Sequence, residues 1–193
     1  MKYMQDFLDT FSSREIFSTQ DVKFFLKSKG ASKKYVSLFL NKLISNRKII
    51  RLTRGFYSFS KKIDFIEKAI FPSYHGLQDA LTLHSLWGQQ TIPILITPRK
   101  FRSGERVIAG GKVLLKRINR KMFFGYETIP QLNSWTTVSD IEKTLIDFAY
   151  YNEPLSKETL KEIKKKINKK KLAKYLKQTT KKLRNKVQKR FNY

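Results

Sequence analysis

Ser32-Lys33-Lys34-Tyr35-Val36-Ser37-Leu38-Phe39-Leu40-Asn41-Lys42-Leu43-Ile44 and, four residues on, Ile49-Ile50-Arg51-Leu52-Thr53-Arg54-Gly55-Phe56-Tyr57-Ser58-Phe59 decide the fold of the N-terminal part of this 193-residue chain. In the first stretch Val36, Phe39, Leu40, Leu43 and Ile44 stand at offsets 0, 3, 4, 7 and 8, the apolar side of a helix that Ser32 can cap. Its other side shows Lys33, Lys34, Ser37, Asn41 and Lys42. The second stretch changes period: two short β-prone runs meet at Thr53-Arg54-Gly55, where Gly55 admits a positive φ, and so predict a hairpin.

Upstream, Met4, Phe7, Leu8 and Phe11 recur at helical spacing, and Ser18-Thr19-Gln20-Asp21 is a capping-box variant ahead of Val22, Phe25 and Leu26. Gly30 ends that second helix, expected over about residues 19–29. Two helices around a Gly-containing turn, the second with basic and amide groups near its start, match a helix-turn-helix whose recognition helix enters the major groove. The hairpin that follows is the wing of a winged helix, with Arg51 and Arg54 in reach of phosphate or the minor groove. The plainer alternative is a structural or protein-docking module of three amphipathic helices and a hairpin. The outward placement of the basic residues favours DNA.

Lys and Arg number 41 against 15 Asp and Glu, a net charge of +26 that implies a polyanionic partner. Residues 1–60 hold 12 basic and 4 acidic side chains, residues 61–155 hold 13 and 9, and residues 156–193 hold 16 and 2, so the excess sits at the two ends. With no Cys and two His, His75 and His84, disulfides, thiolate sites and a His-rich metal site are excluded. The longest apolar runs, such as Ile92 to Ile96, fall far short of the roughly 20 residues that span a bilayer. The N-terminus lacks a secretory pattern, which predicts a cytoplasmic protein.

Between the ends the pattern predicts an α+β unit. Helices are expected over 63–70, ended by Pro72, and over 76–86, with Leu77, Ala80, Leu81 and His84 on one stripe. Strands are expected over 91–97, 112–118, 123–129 and 135–138, with 98–111 as a polar, basic loop. Ser139-Asp140-Ile141-Glu142 reads as a capping box for a helix carrying Ile141, Leu145, Phe148 and Ala149. Together with Arg54-Gly55-Phe56-Tyr57, Asp79-Ala80-Leu81, His84 and Ile92-Pro93-Ile94, the run Ser139-Asp140-Ile141-Glu142-Lys143-Thr144-Leu145-Ile146-Asp147 resembles the AbiEi antitoxin family of transcriptional regulators over about residues 1–155. The most specific piece is Glu142 to Asp147. Where the family has Ser-Ala-Leu and His-Gly-Leu, this chain has Asp79-Ala80-Leu81 and His84-Ser85-Leu86, and its C-terminus is unusually basic. The resemblance implies repression of the chain's own operon through the winged helix and neutralisation of a nucleotidyltransferase-like toxin, with direct contact to the toxin left open.

Asp140, Glu142, Lys143 and Asp147 invite comparison with metal-dependent nucleases. Adjacent Glu142 and Lys143 diverge by about 100° on a helix, and Glu142 has a capping role as the third residue after Ser139, so neither a catalytic site nor a metal or other cofactor is expected. Tyr74, His84 and Trp87 read as core or interface residues.

In residues 156–193, Leu160, Ile163 and Ile167 form one stripe and Leu172, Leu176, Leu183 and Val187 another, amid the runs Lys164-Lys165-Lys166 and Lys169-Lys170-Lys171. A free chain of this charge stays extended, so a partner or the protein body must support it. Four uses compete: a helix across DNA phosphates, a membrane helix, a dimer helix, or a solvated tail. The stripe has no Trp and one Phe, Phe191, near its end, which disfavours membrane. The favoured arrangement docks the stripe and turns Lys165, Lys166, Lys169 and Lys170 to nucleic acid.

The resulting expectation is an α+β chain in three parts: a winged helix-turn-helix over 1–60, an antitoxin-like α+β domain over 61–155, and a Lys-rich helical tail over 156–193. Lys33, Lys34, Ser37, Asn41, Lys42, Arg51 and Arg54, with the four tail lysines, are the expected contacts to double-stranded DNA, namely the chain's own promoter with inverted repeats; a homodimer would suit such a site. The rival class is a non-catalytic RNA- or protein-binding adaptor.

Overall fold

The computed structural model describes residues 2–60, 66–108, 111–131 and 134–192. Residues 63–65 of the helix expected over 63–70, residues 109–110 of the expected loop, and the terminal Met1 and Tyr193 lie outside the described residues. The fold is mixed α+β, in two units: Met1–Phe71 with Val107–Gly111, and Pro72–Arg106 with Lys112–Tyr193. The boundary near Pro72 differs from the expected one at 60/61, because α4 (Ile66–Ile70) packs against the strand Ile50–Thr53 of the first unit.

The first unit contains α1 (Met4–Phe11), β1 (Phe17–Ser18), α2 (Thr19–Ser28), α3 (Tyr35–Ser45), β2 (Ile50–Thr53) and β3 (Phe56–Ser58) ahead of α4. Its antiparallel sheet runs β1-β3-β2, with Phe17 and Arg51 both opposite Tyr57. Ser18 caps α2 as expected: its Oγ accepts from the Asp21 amide at 3.1 Å, and its own amide donates to Asp21 Oδ2 at 2.7 Å. Gly30, at φ 77°, then lets the Ala31 amide return to Leu26 O and stop the helix. The start of α3 differs. Lys34 is the capping residue and makes no side-chain cap, since its dihedrals are already helical where a capping side chain needs extended ones. Ser32 contributes its carbonyl instead, which accepts from the Tyr35 amide at 3.0 Å.

Phe7 centres this core, stacked on Phe11 at 4.6 Å and edge-on to Phe17 and Phe39. Each such ring contributes about 1.5–3 kcal/mol by burial. Val36, Phe39, Leu40 and Leu43 of α3 seat in the same cluster, which fixes the side α3 turns outward.

The second unit holds β4 (Tyr74–His75), α5 (Leu77–Leu83), β5 (Ile94–Thr97), most of β6 (Gly104–Ile108) and of β7 (Gly111–Arg117), β8 (Tyr126–Gln131), β9 (Ser134–Ser139) and α6 (Ile141–Tyr151). Three helices follow: α7 (Lys157–Lys166), α8 (Lys169–Gln178) and α9 (Lys181–Phe191). The strands form a mixed sheet in the order β6-β7-β5-β4-β9-β8, parallel at β5–β7 and β4–β9 and antiparallel at β4–β5 and β8–β9. The expected loop over 98–111 thus contains a strand. The expected strand over 123–129 starts only at Tyr126, after a 3-10 turn at Arg120–Met122 and Gly125 at φ 68°.

Helix α6 is buried from Glu142 to Ala149. Asp140, not Ser139, caps it, its Oδ1 accepting from the Lys143 amide at 2.8 Å. The C-terminal residues are no separate tail: Ile163, Ile167, Leu172, Leu176, Leu183, Val187 and Phe191 all enter the core that includes Leu145, Phe148 and Ala149. The protein body supplies the support that charge of this density needs. Asn168 and Thr180 cap α8 and α9, breaking the expected second stripe into two helices.

Candidate nucleic-acid interface

Burying Val36, Phe39, Leu40 and Leu43 leaves Ser37, Leu38, Asn41 and Lys42 exposed on the other side of α3, with Lys33 and Lys34 exposed in the turn before it. Two lysines, a hydroxyl, an amide and a further lysine therefore face water together on one short segment. Lys and hydroxyl groups suit phosphate oxygens, and an Asn side chain can bond both N6 and N7 of adenine. Arg51 and Arg54 are exposed on the β2–β3 hairpin, where Arg51 Nε donates to Thr53 O at 3.4 Å and Gly55 takes φ 86°. All seven expected contacts of the first unit are thus solvent-accessible and carried by two adjoining elements of one fold.

The C-terminal cations divide into two sets. Lys165, Lys166, Lys169 and Lys170 are exposed; Lys165 pairs with Glu162 at 2.6 Å and Lys166 Nζ donates to His84 O at 3.5 Å. At about 0–1 kcal/mol, an exposed pair such as Lys165–Glu162 holds little. Other basic groups are built into the fold. Arg190 donates to the carbonyls of Phe148 and Glu153, closing the end of α6, and Arg184 donates to Leu176 O at 3.1 Å, closing α8. Lys171 bridges Asp140 at 3.0 Å and Glu142 at 3.4 Å. Burial opposes its charge, yet the hydrogen bond and charge of Asp140, helped by Glu142, hold its ammonium above the ordinary range.

Asp79, His84 and the run from Glu142 to Asp147 lie in the second unit, the last of these in its buried helix α6. Lys143 donates to Asp147 and, at 2.9 Å, to the Tyr74 hydroxyl, which itself donates to Asp147 Oδ2 at 2.9 Å; the side chains of Lys143 and Asp147 are 0% exposed. Burial pushes the Lys143 ammonium down and the Asp147 carboxyl and Tyr74 hydroxyl up. Each polar atom is satisfied by a neighbour, and the cluster ties α6 to β4. Glu142 does not close a box with Ser139; its Oε1 accepts from the Asn168 amide at 2.6 Å and so anchors the start of α8. Asp79 Oδ2 accepts from the Ile94 amide at 2.7 Å and meets His75 Nδ1 at 2.6 Å, and His84 Nε2 lies 2.8 Å from Ser139 O. Gly125 completes the packing, since a Cβ there would lie 2.9 Å from both Lys143 Cβ and Tyr175 Cε2.

Among the described residues no group of three or more His, Asp or Glu side chains converges to hold a metal ion, and no helix is long and apolar enough to cross a membrane. Neither the family models nor the curated proteins compared with this chain contain a match.

Sequence reasoning missed the buried role of Lys143, although a signal was present: Leu145, Ile146, Phe148 and Ala149 leave the helix apolar on most sides, the pattern of a buried helix. It also missed Arg184, Arg190 and Lys171 as structural groups. Nothing in a Lys-rich run distinguishes the residue that will reach a carbonyl.

Proposed function

We propose that the first unit is a winged helix-turn-helix that binds duplex DNA through α3 and the β2–β3 hairpin, and that the chain represses its own operon. As its resemblance implies, it also counteracts a nucleotidyltransferase-like toxin. The observation that carries the DNA-binding reading is the two-sided α3: its apolar side is locked into the core while Lys33, Lys34, Ser37, Asn41 and Lys42 share the solvent side and its lead-in turn. Arg51 and Arg54 hold phosphates from the hairpin, and the exposed lysines of α7 and α8 add non-specific attraction. Repression of this kind belongs to the cytoplasm, and an inverted-repeat operator calls for a homodimer.

The test is titration of the full chain onto the DNA upstream of its own operon and onto random duplex over a salt series. Tighter binding to the upstream DNA at every salt concentration is expected. Equal affinity for both would contradict the reading. Asp147, Lys143 and Glu142 serve the fold and not a reaction, so nuclease or nucleotide hydrolysis by pure protein, lost in Glu142→Gln, would contradict that part.

A second reading has its own support. Phe24 on α2 and Leu38 on α3 are each 62% exposed, which favours an adaptor that docks a protein or RNA on this unit. Replacement of Phe24 and Leu38 by Ser would then abolish partner capture and leave promoter binding alone.

A further inference from the structure

Three concave regions of the second unit share walls. One, of about 430 Å³, is lined by Met122, Leu183 and Tyr150 and by three cations, Lys121, Lys182 and Lys186. The next, of about 590 Å³, shares Asn119 and Tyr150 with it and brings in Arg99, Lys100, Arg117 and Arg120. A third, of about 290 Å³, shares Pro98, Arg99 and Arg120 with the second and ends on Phe123. The shared residues set the three side by side, as one run of concavities that makes up a cleft. Its seven cations come from four places in the chain: the turn after β5, the end of β7, the 3-10 turn and α9. No acidic side chain is among the described residues that line it.

Seven like charges around one cleft repel one another, and a bound polyanion relieves that repulsion. The shape and the rings narrow the choice of polyanion. Tyr150 stands where two of the cavities meet, and its placement is fixed: its hydroxyl accepts from the Asn119 amide at 3.4 Å and its ring sits edge-on to Tyr151 at 4.9 Å. Phe123 offers a second half-buried ring at the far end, packed 5.3 Å from Tyr74. A duplex keeps its bases inside and presents phosphates on a convex surface. A single strand can instead lay bases on rings within a cleft while cations follow its backbone.

We propose that this cleft binds single-stranded nucleic acid, with a base on Tyr150 and backbone phosphates on Lys121, Lys182, Arg117 and Arg120. The site belongs to the second unit and does not rest on promoter binding.

The test uses the full chain and two fluorescent probes, an oligo(dT) of about 12 nucleotides, within the span of one single-strand site, and a random duplex of equal length. Replacing Arg120, Lys121 and Lys182 together by Ala should weaken oligo(dT) binding roughly tenfold or more and lower its salt slope by about 2, at about 0.7 per phosphate lost. Replacing the exposed Lys157, Lys174 and Lys189 by Ala removes the same charge outside the cleft and should cost little. Tyr150→Leu keeps an apolar wall but loses the ring, and should weaken oligo(dT) about fivefold or more, while Tyr150→Phe retains the affinity. Variation confined to the first unit, such as Asn41→Ala, should leave oligo(dT) binding unchanged. Equal losses in the cleft and control triple variants, or equal losses for oligo(dT) and duplex in the cleft variant, would overturn the proposal.

Discussion

The outward surface of α3 with its lead-in turn and the C-terminal helices both present lysine to water, and they use it differently. On α3 and its lead-in turn the cations stand beside Ser37 and Asn41, all in water, so the surface combines attraction with groups able to read a base edge. In α7–α9 lysine dominates the exposed side, with Glu158, Glu162, Gln178, Asn185 and Gln188 scattered along it, while Lys171, Arg184 and Arg190 turn inward to carboxylates and carbonyls. Charge count alone would make the C-terminus the main binding element. The structure makes it first a part of the second core, with charge left over for general attraction.

The comparison breaks most visibly by deleting residues 156–193. Seven buried apolar side chains would be lost, at about 1.5–3 kcal/mol each, as much as the roughly 5–15 kcal/mol that holds a whole domain together. Loss of the cooperative unfolding transition of the second unit is expected by calorimetry or denaturant titration. A detachable tail would leave that transition in place. Charge effects of these helices are therefore better measured with surface substitutions than with truncation.

The next effect concerns the buried cation rather than the exposed ones. Lys143→Met leaves Asp147 charged and unpaired in the core and should cost about 3–5 kcal/mol in denaturant unfolding. Adding Asp147→Leu should restore most of that loss. A double variant as unstable as the single one would show that the pair is needed for more than mutual neutralisation.

A smaller effect is expected in alkali. The Tyr175 hydroxyl donates to Asp140 Oδ2 at 2.7 Å, and burial together with that bond pushes its pKa up from 10.0 to about 12. The folded chain keeps the proton longer than the unfolded one, so this contribution is complete below pH 10 and is lost as pH rises from 10 to about 12. Tyr175→Phe should remove that part of the pH dependence. An unchanged stability profile between the two proteins over this window would contradict the assignment.

Much of the first unit is legible in the sequence, because its signals are local. The Ser18–Asp21 box, Gly30, the α3 stripe and the Thr53-Arg54-Gly55 turn each act within a few residues. The exposed side of α3 follows directly from its buried side. In the second unit the deciding contacts join distant residues. Tyr74 meets Lys143, Glu142 meets Asn168, and Arg190 meets Phe148 O, pairings that periodicity cannot reveal. The cap of α6 shifted by one residue for the same reason: Ser139 is occupied by Thr144 and His75 and leaves capping to Asp140. The cleft cations were invisible as a group because four separate segments supply them.

Whether the solvent face of α3 reads duplex DNA is decided by measuring Asn41→Ala on the chain's own upstream DNA and on random duplex at matched salt. A loss of about 1–3 kcal/mol on the upstream site with little change on random DNA is expected. Equal losses on both, or none on either, would contradict it.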